Sequence, residues 1–277
     1  MDLNDRPSDH PGPIAADRWA RDLTAWRIPD EILATAPQSP WIHPVELFRA
    51  PDQPVPDSPS HARARERLDA GGSVLDVGSG GGRATFAIAP PAALVTAVDH
   101  QQGMLDTFAE AARERGLQHT EILGDWPDVA DRTPTADVVV CHHVVYNVAD
   151  LAPFVTALDA HARRRVVLEL PRRHPLAPMA PLWRHFWNLE RPDGPTASDA
   201  LRVIREAGLD AHLQEWDDDP ATRALPALPL AQQVEFMRIR LCLTPDRDAE
   251  LADVMDVMTA TPPAPRQPAT IWWDVTA

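Results

Sequence analysis

A chain of 277 residues with 44% apolar content has enough material for one sizeable core with appendages. Its formal charge of −15 opposes polyanions, and its basic residues are all arginine, so nucleic acid is not expected as a partner. Two distant cysteines, Cys141 and Cys242, in no metal-ligand spacing, indicate neither a disulfide framework nor a zinc site.

The N-terminus carries acids and prolines where a secretion signal needs a basic start and an apolar run, and no stretch of about 18 apolar residues occurs. A soluble, cytoplasmic protein with no membrane partner is expected, and oligomerisation is left open. The basic cluster Arg163, Arg164 and Arg165 reads as the solvated end of a helix.

Residues 1–60 read as an N-terminal helical cap or arm. Trp19, Trp26, Ile28, Ile32 and Leu33 mark the apolar faces of its short helices, and a proline-rich connector closes it. From residue 61 to 277 strands and helices alternate. Strands are expected at 73–77, 94–98, 120–123, 137–141, 165–170, 211–216 and 270–275. Most are continuous apolar runs, as suits strands covered on both faces. Helices are expected at 82–89, 103–115, 151–162 (Asp150 as cap), 198–207 (Ser198 as cap), 230–243 and 247–258. Two inserts interrupt this order: 171–195, rich in Pro, Trp and His, after the fifth strand, and 220–268 after the sixth.

The sequence VLDVGSGGG joins the first strand to its helix. A dinucleotide fingerprint needs a glycine three residues after the second of its pair. Arg83 or Thr85 stands there, depending on register, so a pyrophosphate is a poor match. Asp76 would also oppose a phosphate, whereas it could hold an ammonium group.

With Asp76, Gly78, Gly80 and Gly82 in D-x-G-x-G-x-G, the loop resembles motif I of class I S-adenosylmethionine-dependent methyltransferases. Three further segments extend the resemblance: VTAVDH, ending near Asp99; GDWPDV, with Asp125; and ADVVVCHHVVYNVADL. The resemblance implies an α/β, Rossmann-like, seven-stranded and mostly parallel sheet with helices on both faces. It implies S-adenosylmethionine as cofactor, wrapped at its methionine portion by the glycine loop. Asp99 would accept from the ribose hydroxyls and Asp125 from the adenine amine, with Trp126 or His100 as the flat apolar face. Ser79, Met104, Gly124, Cys141 and His142 complete the implied cofactor contacts.

Methyl transfer mainly requires positioning, exclusion of water and, for some acceptors, removal of a proton. His143, His142 and Tyr146 lie just beyond the fourth strand, at the edge where open α/β sheets bind ligands, and are the candidate catalytic residues, His143 first. A metal site from His142, His143, Glu169 and His174 was weighed against the carboxylate-rich sets of magnesium-using relatives, and no metal is expected.

The inserts, with Trp41, His43, His174, Trp183, His185, Phe186, Trp187 and the stretch 233–240, are expected to form the pocket of a small-molecule acceptor. An ordinary aromatic mini-core is the competing reading of the same residues. The sequence also leaves open a methyltransferase acting on RNA or protein, and a non-catalytic module that only binds the cofactor.

Overall fold

The computed structural model describes residues 15–40, 57–218, 229–259 and 267–276. Two short helices, α1 (Ala15–Thr24) and α2 (Asp30–Leu33), precede the sheet. Then come α3 (Pro59–Arg65), β1 (Gly72–Val77), α4 (Arg83–Ile88), β2 (Ala92–Asp99), α5 (Gln102–Glu114) and β3 (Gln118–Leu123). The chain continues through β4 (Ala136–His142), α6 (Leu151–His161), β5 (Ala162–Pro171), α7 (Ala180–Trp187), α8 (Ala197–Glu206) and β6 (His212–Glu215). It ends with α9 (Leu230–Arg240), α10 (Asp248–Thr259) and β7 (Pro268–Asp274). The strands pair in the order β3-β2-β1-β4-β5-β7-β6. β7 runs antiparallel to both of its neighbours and the other pairs are parallel, as expected for this fold class.

Alternation along each strand divides the core in two. Leu75, Val77, Val139, Cys141, Val166 and Leu168 face α6, α8 and Trp19 of α1. Val74, Val138, Val140 and Val167 face Ala64 of α3, Ile88 of α4 and Phe108 of α5. Strand order reverses between β1 and β4, so the loops after these two strands diverge and open a crevice at the C-terminal edge.

The inserts share a third core with the cap. Ile28, Ile32, Leu182, Trp183, Val234, Leu241 and Leu251 are buried together, with Trp187 packed against them. Trp183 is 1% exposed, and Arg191 lies over its ring at 4.6 Å. Trp187 donates its indole N–H to the Leu241 carbonyl at 2.7 Å. The mini-core reading therefore holds for Trp183, which is structural filling rather than a pocket wall. Trp41 and His43 lie outside the described residues.

Three local expectations are corrected. α8 is capped by Thr196, not Ser198: the Thr196 hydroxyl accepts from the Asp199 amide at 3.3 Å, and the Asp199 carboxylate accepts from the Thr196 amide at 2.9 Å. Asp150 precedes α6 but makes no side-chain cap bond. Arg163, Arg164 and Arg165 lie in β5 rather than at a helix end. There they pair with Asp137, Asp69, and Glu66 plus Asp274, respectively. This network sits at the N-terminal edge of the parallel strands, opposite the crevice.

Candidate functional site

The loop after β1 turns sharply because its glycines adopt left-handed backbone. At Gly78 (φ +72°) a Cβ would fall 2.3 Å from Val144 Cγ2, so the loop packs directly on the segment after β4. At Gly80 (φ +51°) a Cβ would meet no atom within 4 Å, so the same loop has open space on that side. Gly82 is the N-cap residue of α4. Beside this opening the Ser79 hydroxyl is buried without a hydrogen-bond partner among the described residues.

Asp99, the last residue of β2, accepts from the Gly80 amide at 2.9 Å and from the Gln101 amide at 2.9 Å. Each carboxylate oxygen has two lone pairs, so acceptor capacity for a ligand remains. Gly124, after β3, donates its amide to the Asp99 carbonyl at 2.9 Å and so ties a third loop to the same point. His100 and Asp125 are exposed beside these groups.

Asp76 differs from its expected part. It is 1% exposed and accepts from the Thr85 hydroxyl at 2.7 Å, so it braces the first turn of α4 instead of meeting an ammonium group. Burial pushes its carboxyl up to about 7, with the Thr85 bonds opposing and Asp99 adding to the rise.

Other residues from the sequence are likewise committed inward. Met104 is 3% exposed in α5, and the Cys141 side chain is wholly buried, where burial and the Asp76 charge push its thiol well up. Trp126 donates to the Phe154 carbonyl at 3.3 Å and meets His161 edge-on, so His100 is the freer of the two expected flat groups.

Beyond β4 the three catalytic candidates separate. Tyr146 is buried between Trp19 and His174 and donates its hydroxyl to the Pro171 carbonyl at 2.9 Å. Burial and Asp199 push its phenol up, so it is a structural group and not a proton acceptor. His142 turns toward α3, stacking on His61, and burial lowers its imidazole to about 3 against the opposing pull of Glu169, so the ring is neutral.

His143 is the exposed member, with a left-handed backbone at φ +61°. That conformation costs on the order of 1–2 kcal/mol in a non-glycine residue. Glu169 holds it twice: the His143 amide donates to the Glu169 carbonyl at 2.6 Å, and its Nε2 lies 3.2 Å from Glu169 Oε1. Glu169 is itself 8% exposed. Burial pushes its carboxyl up, but His142, His143 and Ser60 outweigh this and hold it well below the usual range. Sequence reading took Glu169 only as a possible metal ligand and missed this dyad, because the pairing of β4 with β5 creates it: His142 stands opposite Glu169.

Residues 74–164 match the model described as "Methyltransferase domain". This stretch, about a third of the chain, is similar to that domain family.

An uncharacterized protein of Haemophilus influenzae is 36% identical over 104 residues. The match covers 37% of this chain and 38% of that protein, so the chain spans well under half of its curated relative. Among solved structures, an S-adenosylmethionine-dependent methyltransferase from Geobacter sulfurreducens, in complex with S-adenosyl-L-homocysteine, has a TM-score of 0.53 at 20% identity, covering 90% of this chain and 99% of that one. The [4+2]-cyclase SpnF has a TM-score of 0.50 at 16% identity, covering 96% and 97%. These likenesses establish the shared fold.

The residues present fit the family's cofactor. Gly80 leaves room where a side chain would block approach, the Ser79 hydroxyl is unpaired, and Asp99 retains free lone pairs in the same crevice.

Proposed function

We propose that this protein is a cytoplasmic enzyme that transfers the methyl group of S-adenosylmethionine to a small-molecule acceptor and releases S-adenosylhomocysteine. The observation that carries the reading is the placement of two groups at one sheet edge: the Asp99–Gly80 loop after β1 and β2, and the exposed His143–Glu169 dyad after β4 and β5.

The cofactor, when bound, supplies a methyl group on a positively charged sulfur. The glycine loop, Asp99, His100 and Asp125 would hold it. His143 would take the proton from an acceptor hydroxyl, amine or acidic carbon, while the Glu169 carboxylate fixes the ring's tautomer and orientation. The cap and inserts, joined in one core, would close the acceptor side and exclude water.

A small acceptor is favoured because the densest arginine cluster is neutralised by acids at the edge away from the crevice. No helix among the described residues is long and apolar enough to cross a membrane.

Incubation with methyl-labelled S-adenosylmethionine and a size-fractionated cell extract tests this. Label is expected in the small-molecule fraction and should fall sharply with His143→Gln. Label confined to RNA or protein contradicts the acceptor class. Cofactor binding with no transfer to any fraction contradicts catalysis.

A further inference from the structure

The geometry points to a divalent transition-metal site, with zinc the best match, built from His61, His142 and Glu169. His142 and Glu169 are direct partners across β4 and β5, so their side chains leave the same face of the sheet. α3 brings buried His61 over that face. One ring nitrogen of each histidine and one Glu169 oxygen lie within 4.8 Å of one another. Zinc bonds of about 2.0–2.2 Å in a tetrahedral arrangement put ligand atoms about 3.4 Å apart, so loading requires the widest pair to close by up to roughly 1.4 Å.

The donors suit the ion. Two neutral imidazoles and one ionised carboxylate match a borderline-soft cation, whereas magnesium and calcium prefer oxygen alone. The Nε2 atom of His142 is buried with no hydrogen-bond partner among the described residues. Leaving such an atom buried and unpaired is costly, and a bound ion would satisfy it.

Surrounding groups are already placed to orient these ligands. The Ser58 hydroxyl donates to Glu169 Oε2 at 3.0 Å. The Ser58 amide donates to His61 Nδ1 at 3.2 Å, so an ion held at Nε2 requires the other ring tautomer, with Nδ1–H turned to the Asp57 carboxylate 3.7 Å away. Three protein ligands would leave the ion an open position at the sheet edge that carries the glycine loop. This departs from the sequence expectation of no metal, because His61 comes from α3, distant in sequence from β4 and β5.

The test uses the full chain without a polyhistidine tag, stripped of metal with a chelator and titrated with cobalt(II). Visible ligand-field bands are expected to saturate at one ion per chain and to vanish on addition of zinc. In competition with a chelating dye, His142→Gln and Glu169→Gln should each weaken zinc binding at least tenfold. His185→Gln, which alters an exposed histidine paired with Glu250, should leave it unchanged. Circular dichroism of the metal-free variants verifies that they fold. Failure of cobalt to saturate at one equivalent overturns the site. So does zinc affinity indifferent to both substitutions in folded protein, or binding of magnesium in preference to zinc.

Discussion

The Asp99 carboxylate accepts the Gly80 amide at 2.9 Å, so one side chain joins the end of β2 to the middle of the loop that follows β1. The same carboxylate is the group proposed to receive the ribose hydroxyls. Loop shape and cofactor recognition therefore depend on one residue. Asp99→Ala is expected to weaken S-adenosylhomocysteine binding by about 1.5–3 kcal/mol, the range for lost charge-assisted hydrogen bonds. Asp99→Asn, which keeps one acceptor oxygen, should lose less. Calorimetry on both variants checks the order, and equal affinity in all three proteins removes Asp99 from the site.

Asp76 gives stability a distinctive pH dependence. Its carboxyl is raised to about 7 in the folded chain, so between about pH 4 and pH 7 the folded state holds a proton that the unfolded state has released. Stability from this group is full below pH 4 and is lost as pH rises through 7, by up to about 4 kcal/mol. Denaturant unfolding of Asp76→Asn should lack this component. The difference between wild type and variant, taken from pH 5 to pH 8, isolates it from the histidines. A difference that does not change with pH refutes the assignment.

His174 acts in the opposite sense. It stacks on Trp26 at 4.0 Å, and burial, helped by Arg191, lowers its imidazole to about 4. Below pH 6.5 the unfolded chain takes up a proton that the folded chain refuses, so stability falls as pH drops toward 4. His174→Gln should reduce the slope over that interval by one proton, about 1.4 kcal/mol per pH unit. An unchanged slope would mean that the ring is protonated where it sits.

Trp183 and Trp187 distinguish the third core from the acceptor pocket. Trp183→Ala removes a wholly buried indole and should cost about 3–5 kcal/mol, loosening α7 and the helices packed on it. S-adenosylhomocysteine should still bind, since the loops after β1 to β3 are built on other cores. Hydrogen exchange should show faster opening of α7, α9 and α10 with little change in the central strands. Uniform acceleration across the sheet would show that the third core is not a separate cooperative unit.

Much of this was legible in the sequence because it is local. All seven strands were expected near their places, most of them from apolar runs, and the spacing of Asp76, Gly78, Gly80 and Asp99 pointed to the loop edge. What escaped depends on distant chain segments. Thr196-x-x-Asp199 is a readable capping box, but Ser198 inside it is an equally good cap by residue type, and only the backbone decides. Tyr146 and Trp126 look like site residues in sequence; their contacts with Pro171 and Phe154 come from neighbouring elements and turn them into core. The His143–Glu169 dyad and the His61–His142–Glu169 triangle exist only once α3, β4 and β5 are assembled.

Calorimetric titration of the full chain with S-adenosylhomocysteine, and in parallel with NAD, tests the central claim most directly. One molecule of S-adenosylhomocysteine is expected to bind per chain with Kd below about 0.1 mM, more than 5 kcal/mol of binding free energy. NAD should give no measurable heat, because Arg83 or Thr85 stands where the dinucleotide fingerprint needs its third glycine. Binding of NAD with no response to S-adenosylhomocysteine would contradict the account.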